Sequence, residues 1–441
     1  MTVGTKCFLW MGEKKVGEFV CNPQSNQNVF RYSDNWVKEG FPLSPVLPFS
    51  SEIKDSRFFA FLENFLPEGR ALEHLSRLNS LSQNNVLGLC LAIKSDLAGA
   101  LVLSSEDFPH EEQSCLRPVT EKEIFDRLNF PDTNPMDIWD GKPRLSVAGM
   151  QTKLNVLKLD EQYSLVDGKD LCSTHILKFD SFAPKNVLLN EFLTMGLART
   201  LGFPVALTKL KRIGSHRLLE VERFDRKIGG TGEAVRVYRR YVIDVCQSLG
   251  LTSSFKYEQN LGNGRDVAHI RDGVSLEKLF SLIRYAKDPL GMRRNLLTWT
   301  IFNLVIGNSD AHGKNFSFFV DQSGLSPTPW YDLVSVIQIP DVQHSMAMSI
   351  GDEFEIEHIH ALQILYEAQK CDLEFSLVQK ILSQVLNKLS EALNRFEIPS
   401  DCDDEEREFC STYSQSIELR VKKWSDELKL LPQLAKDLSL F

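Results

Sequence analysis

Asp310 and Asn315 stand five positions apart in the stretch IGNSDAHGKNFSFFV (306–320), and Asp332 follows seventeen residues later in WYDLVS. Two carboxylates and an amide in this order suit phosphoryl transfer. One carboxylate takes the proton of the attacking hydroxyl, while hard oxygen donors hold magnesium against phosphate oxygens. Asp310 is the candidate for the hydroxyl, and Asn315 and Asp332 are the candidates for the metal. The same residue types also favour turns, so Asn-Ser-Asp and His-Gly-Lys-Asn would bend the chain whatever its activity. The setting favours chemistry. An apolar, helix-forming run leads into the stretch and an aromatic, β-prone run leads out, and reactive groups tend to sit on loops held by rigid elements.

A D-x-x-x-x-N followed by a later Asp has the order and spacing seen in protein kinases. Three upstream segments bear on the same chemistry. In THILKF, Lys178 interrupts an apolar strand, where burying an ammonium is costly unless it is paired. A kinase lysine is paired with nucleotide phosphates and a helix glutamate. Glu191 is the available glutamate, and its other role would be a favourable charge at a helix N-terminus. In RLSVAGMQTKLNV (144–156), small residues lead into a strand, where main-chain N–H groups can cradle phosphate. This run is neither a Walker A motif nor G-x-G-x-x-G, and a plain loop fits it as well. LLEVERFDR (218–226) is an apolar strand with a charged end, either a hinge whose main chain meets adenine or a solvent-facing strand end.

These segments need elements to hold them. Residues 6–21 read as a hairpin around Gly12-Glu13-Lys14, and Arg57 to Leu78 carries helix-period apolar residues. Residues 1–103 therefore read as a small α+β domain, and the polar run 104–118 as a linker. From 119 to 245, strands alternate with a helix, NEFLTMGLARTLG, that ends near Gly202. Beyond 245 the pattern is helical, and the acidic stretch 401–408 reads as a solvated loop connecting two of those helices. The fold class is α+β, with a β-rich lobe over 119–245 and a helical lobe over 246–441.

Bulk properties narrow the function further. The chain has 441 residues, 43% of them hydrophobic, enough for two or three domains with cores. Its 50 Lys+Arg against 59 Asp+Glu give a formal charge of −9, which argues against holding nucleic acid by its own basic surface. The nine cysteines form no C-x-x-C and read as reduced thiols filling cores. The N-terminus lacks a signal-peptide pattern and no long apolar run suggests a membrane span, so the compartment expected is the cytoplasm.

Taken together, these segments resemble the HipA family of bacterial toxin–antitoxin kinases. SVAGMQTK is similar to its Ser-x-Ala-Gly-x-Gln-x-Lys phosphate loop, and HILKF to the strand bearing its ATP lysine. VERFDR resembles its adenine-facing segment, and IGNSDAHGKN and YDLVS its catalytic and metal motifs. The first hundred or so residues resemble its N-terminal subdomain. The resemblance implies a two-lobed, protein-kinase-like fold and a serine/threonine kinase using ATP and Mg2+. By position, Ala148, Gly149, Met150, Gln151, Thr152, Lys153 and Lys178 would bind phosphates, and Glu222, Arg223 and Phe224 would lie at the adenine. Asp310 would be catalytic, with His312, Gly313, Lys314, Asn315, Tyr331 and Asp332 completing the site. Ser146 would be the regulatory autophosphorylation site. The resemblance also implies a HipB-like helix-turn-helix antitoxin dimer that binds operator DNA, and an aminoacyl-tRNA synthetase, notably glutamyl-tRNA synthetase, as protein substrate.

Two other readings stay open. A small-molecule kinase would use the same phosphate apparatus. A corepressor acting through its antitoxin complex, with residual catalysis, would use residues 1–103 for docking.

Overall fold

Lys6–Met11 and Lys14–Asn22 pair as an antiparallel hairpin turning at Gly12-Glu13, with Gly12 at φ +60°. A left-handed φ costs glycine nothing, which is why the turn falls there. This is the hairpin expected from the sequence. The computed structural model describes residues 6–22, 27–49, 53–93, 96–107, 114–144, 152–168, 170–180, 185–230 and 235–437. The chain forms two units, one comprising 1–183, 207–253 and 317–325, the other 184–206, 254–316 and 326–441.

In the first unit the hairpin joins Gln27–Tyr32, Ile53–Lys54 and Leu101–Ser104 in a five-stranded antiparallel sheet. Helix Asp55–Glu63 packs on it, stacking Phe58 on Phe19 and Phe30 with ring centroids 5.0 and 4.3 Å apart. The helix-period residues over 57–78 fall on two helices, Asp55–Glu63 and Gly69–Leu78. Pro67 separates them, because it lacks an N–H and disfavours helical backbone at the residue before it.

A second sheet of six antiparallel strands follows the order Thr208–Ile213, His216–Glu222, His175–Phe179, Thr152–Leu159, Gln162–Asp167, Cys115–Val119. The last strand begins inside the stretch 104–118 expected to be a linker and runs one residue past it. It is an edge strand, where Pro118 is tolerated. Helix Glu121–Asn129, begun by a Thr120–Glu123 capping box, covers one face of the sheet. Its Ile124 and Leu128 join Trp139, Leu154, Val156, Leu177, Phe179 and Leu218 in one core. Strand alternation then sends Lys153, Asn155 and Lys178 to the opposite face.

The second unit is mainly helical. Helix Pro289–Ile306 starts with Asp288 accepting from the Gly291 N–H and Pro289 in its first turn. It ends at Gly307, φ +74°, where a Cβ would come within 2.5 Å of Ile337. Leu296, Trp299, Phe302 and Val305 are all buried, so this helix is enclosed rather than amphipathic. Helices Phe375–Leu393 and Asp404–Asp437 pack against it. Arg420 of the latter donates to the Leu304 and Val305 carbonyls, each at 2.8 Å, and to Glu357 at 2.9 Å. A cation thus meets the last-turn carbonyls, one of which (Leu304) also accepts the Gly307 N–H at 3.3 Å, at the negative end of the helix dipole.

The acidic stretch 401–408 is not a loop throughout. Asp404, Glu405 and Glu406 form the first turn of helix Asp404–Asp437. Glu406 and Asp403 each accept the other's main-chain N–H at 2.9 Å, a reciprocal cap, and carboxylates there oppose the positive end of the helix dipole.

Candidate active site

The helix end at Gly307 delivers the loop that carries Asp310. The Asn308 N–H returns to the Asn303 carbonyl at 2.8 Å, while the Asn308 amide donates to Asn303 Oδ1 at 2.7 Å and its Oδ1 accepts the Asp310 N–H at 3.2 Å. The His312 N–H then donates to the Asp310 carbonyl at 2.8 Å, and the Asn315 side-chain amide donates to the same carbonyl at 2.9 Å. These bonds close a tight loop with its side chains buried from Asn308 through Asn315, except at Asp310, which is exposed. An exposed carboxylate on a rigid, buried loop is the arrangement a general base needs.

Gly313 and His312 show why the loop has these residues. A Cβ on Gly313 would come within 2.6 Å of Val274, and its N–H donates to the Lys256 carbonyl at 2.9 Å. Burial pushes the His312 pKa down to about 3, helped by the Lys256 ammonium and opposed by the Asp332 carboxylate. The ring is therefore neutral, in keeping with its Nδ1 accepting the Lys314 N–H at 3.3 Å.

Asp332 lies on a segment tied to the same loop. The Trp330 N–H donates to the Pro204 carbonyl at 2.9 Å and the Tyr331 hydroxyl to the Lys314 carbonyl at 2.7 Å. Three residues beyond Asp332, Asn190 clasps the Ser335 main chain with bonds of 2.9 and 2.8 Å, and the Ser335 hydroxyl donates to the Ile306 carbonyl at 2.6 Å. Asp332 itself adopts φ +58°, a left-handed conformation that Asp tolerates better than most residues. A carboxylate and an amide oxygen are hard donors, so Asp332 and Asn315 fit magnesium rather than a soft metal.

In the first unit, Lys178 stands directly opposite Lys153 on the neighbouring strand, so both side chains leave the same sheet face. Each is only 5% exposed. Like charges set opposite each other on a sheet repel, and two ammonium groups on one patch suit polyanionic phosphate.

The charged segment after the strand is anchored inward. The Arg223 guanidinium is buried against Asp225, with bonds of 3.1 and 3.0 Å, and also reaches Ser173 at 2.7 Å. The Glu222 N–H donates to the Leu207 carbonyl and the Arg223 N–H to the Thr174 carbonyl, both at 2.9 Å. The Arg223 side chain is thus a structural anchor within the first unit.

Glu191 is the fifth residue of helix Val187–Arg199 and is buried, so it is not a surface charge at the helix start. Ser146, Ala148, Gly149, Met150 and Gln151 lie outside the described residues, whereas Thr152 and Lys153 begin the strand Thr152–Leu159. Local spacing did not reveal Tyr257, whose hydroxyl donates to Asp310 Oδ1 at 2.7 Å from 53 residues away.

Comparison with known proteins matches residues 145–393 to the HipA-like C-terminal domain and residues 8–104 to the HipA N-terminal domain. The chain belongs to the HipA family. A HipA relative from Shewanella oneidensis, named a serine/threonine-protein kinase toxin, is 38% identical over 94% of both chains. The solved complex of Shewanella oneidensis HipA, HipB and operator DNA contains a chain matched at TM-score 0.85 and 37% identity, over 96% of this chain and 99% of that one. The HipA likeness thus spans both the N-terminal sheet and the Asp310 loop. Among the described residues, no helix is long and apolar enough to cross a membrane.

Proposed function

We propose that this HipA-family chain is a cytoplasmic protein kinase that transfers the γ-phosphoryl group of Mg·ATP to a serine or threonine hydroxyl. The observation that carries the reading is Asp310, a solvent-facing carboxylate on an otherwise buried loop closed by Asn315. Asp310 accepts the proton of the acceptor hydroxyl. The hydroxyl oxygen forms its bond to the γ-phosphorus as the bond to the bridging β–γ oxygen breaks, and ADP leaves. Lys153 and Lys178 hold phosphate oxygens, and the Glu222 carbonyl and Phe224 N–H meet the adenine edge. Asn315 and Asp332 hold magnesium, which when bound neutralises charge on the β- and γ-phosphates.

The acceptor in this reading is a protein, of the aminoacyl-tRNA synthetase class, with glutamyl-tRNA synthetase the first to test. Phosphorylation of Ser146 in the chain itself switches activity off, because a doubly charged group there repels the anionic nucleotide. The partner is a HipB-like helix-turn-helix antitoxin dimer. The Shewanella complex supports that pairing, and the formal charge of −9 suits leaving most operator DNA contacts to the antitoxin.

Incubation with γ-labelled ATP followed by acid hydrolysis and phosphoamino-acid separation tests the reaction. Label in phosphoserine or phosphothreonine is expected. Label found only in free phosphate or a small molecule would overturn the protein-kinase reading.

A further inference from the structure

Tyr257 stands on a segment clamped from both sides. On one side, the Lys256 carbonyl accepts the Gly313 N–H at 2.9 Å, which joins this segment to the loop bearing Asp310. On the other, Glu258 is buried. Its main chain donates to the Ala347 carbonyl at 2.9 Å and accepts the Gly273 N–H at 3.1 Å. Its carboxylate takes Arg271 Nε at 2.6 Å and the Ser349 N–H at 2.7 Å. The Ala347 N–H in turn reaches the Ser309 carbonyl at 2.7 Å, one residue before Asp310.

The phenol held by these clamps makes two contacts with the loop. Its ring stands perpendicular to the His312 ring, with centroids 5.1 Å apart. Its hydroxyl donates to Asp310 Oδ1 at 2.7 Å. A carboxylate on an exposed side chain swings about two torsions. A donor whose neighbours on both sides are held by main-chain bonds restricts that freedom before any substrate arrives, and misplacement by about 1 Å in such a site costs on the order of 100-fold in rate.

We propose that Tyr257 is a positioning residue for phosphoryl transfer, its hydroxyl holding one oxygen of Asp310 so that the carboxylate is aimed at the acceptor hydroxyl. This rests on the kinase reading above. Tyr257 touches neither nucleotide nor acceptor in this role and acts through Asp310.

The test uses the full-length chain, freed of phosphate, and follows its own phosphorylation by intact mass across a range of Mg·ATP concentrations. Each variant yields a maximal rate and a half-saturating ATP concentration. Tyr257→Phe keeps the ring against His312 and removes only the hydroxyl. It is expected to lower the maximal rate about 10- to 100-fold with half-saturation and thermal midpoint unchanged. Tyr413→Phe is the control, since it removes a buried hydroxyl bonded to Thr194 at 2.8 Å in the helical core. It is expected to lower the thermal midpoint and leave the maximal rate alone. An unchanged rate in Tyr257→Phe overturns the proposal. So does a faster rate, which would mean that the hydroxyl blocks the acceptor's place. If the unaltered chain adds no phosphate to itself and no label to serine or threonine of an added protein, the kinase reading itself fails and the positioning role falls with it.

Discussion

Lys153 and Lys178 face each other across neighbouring antiparallel strands, and both are buried on the sheet face opposite the helix-covered core. Two ammonium groups on one patch are the arrangement that the proposed phosphate-binding role calls for.

Each lysine is expected to contribute separately to nucleotide affinity. Lys178→Met and Lys153→Met should each weaken binding of a magnesium-bound, non-hydrolysable ATP analogue about 10- to 100-fold, or about 1.4–2.8 kcal/mol. The double variant should lose less than the sum, because the neighbouring groups serve the same phosphates. Titration calorimetry measures all three, and unchanged affinity in both single variants would contradict the assignment.

Arg420 couples the last helix to the loop bearing Asp310 through the Leu304 and Val305 carbonyls. Arg420→Met leaves both carbonyls buried without that donor, and the expected loss is about 2–3 kcal/mol of folding stability. Phosphate transfer should fall as well, since the helix end sets the position of Gly307 and of the Asp310 loop. Urea unfolding monitored by tryptophan fluorescence reads the first effect, and a loss under about 0.5 kcal/mol, the usual range for surface changes, would contradict the capping role.

Acid should weaken the six-stranded sheet through Glu220. Burial alone would raise its carboxyl pKa, but hydrogen bonds from Tyr163, Lys211 and Lys158 outweigh burial and bring it to about 2. A carboxylate depressed in this way adds stability that is complete above its unfolded value of about 4.3 and is lost as pH falls through the folded value. Unfolding free energy measured from pH 5 to pH 2 should therefore drop by on the order of 3 kcal/mol more in the unaltered chain than in Glu220→Gln. Parallel acid limbs in the two proteins would contradict this.

The fold and the site differ in how much of each could be read from the residues alone. Asp310 and Asn315 were legible because the loop they share is local, and the hydrogen bond that closes it spans only five residues. The Gly12 hairpin was legible for the same reason, since a left-handed glycine marks its own place. Tyr257 was not legible, because clamps formed by Glu258, Arg271 and β-strand residues far along the chain bring it to Asp310. The acidic run at 401–408 misled for a different reason. Its charge density reads as solvated loop, although Asp403 and Glu406 already had the three-residue spacing of a cap.

The role of Asp310 in phosphate transfer is read from the intact mass of the dephosphorylated chain after incubation with Mg·ATP, beside Asp310→Asn. The unaltered chain is expected to gain the mass of one phosphate, which peptide mapping places on Ser146, while Asp310→Asn gains none and remains folded. Equal phosphate gain by Asp310→Asn would contradict the role of Asp310, and no gain by the unaltered chain would contradict self-phosphorylation by this site.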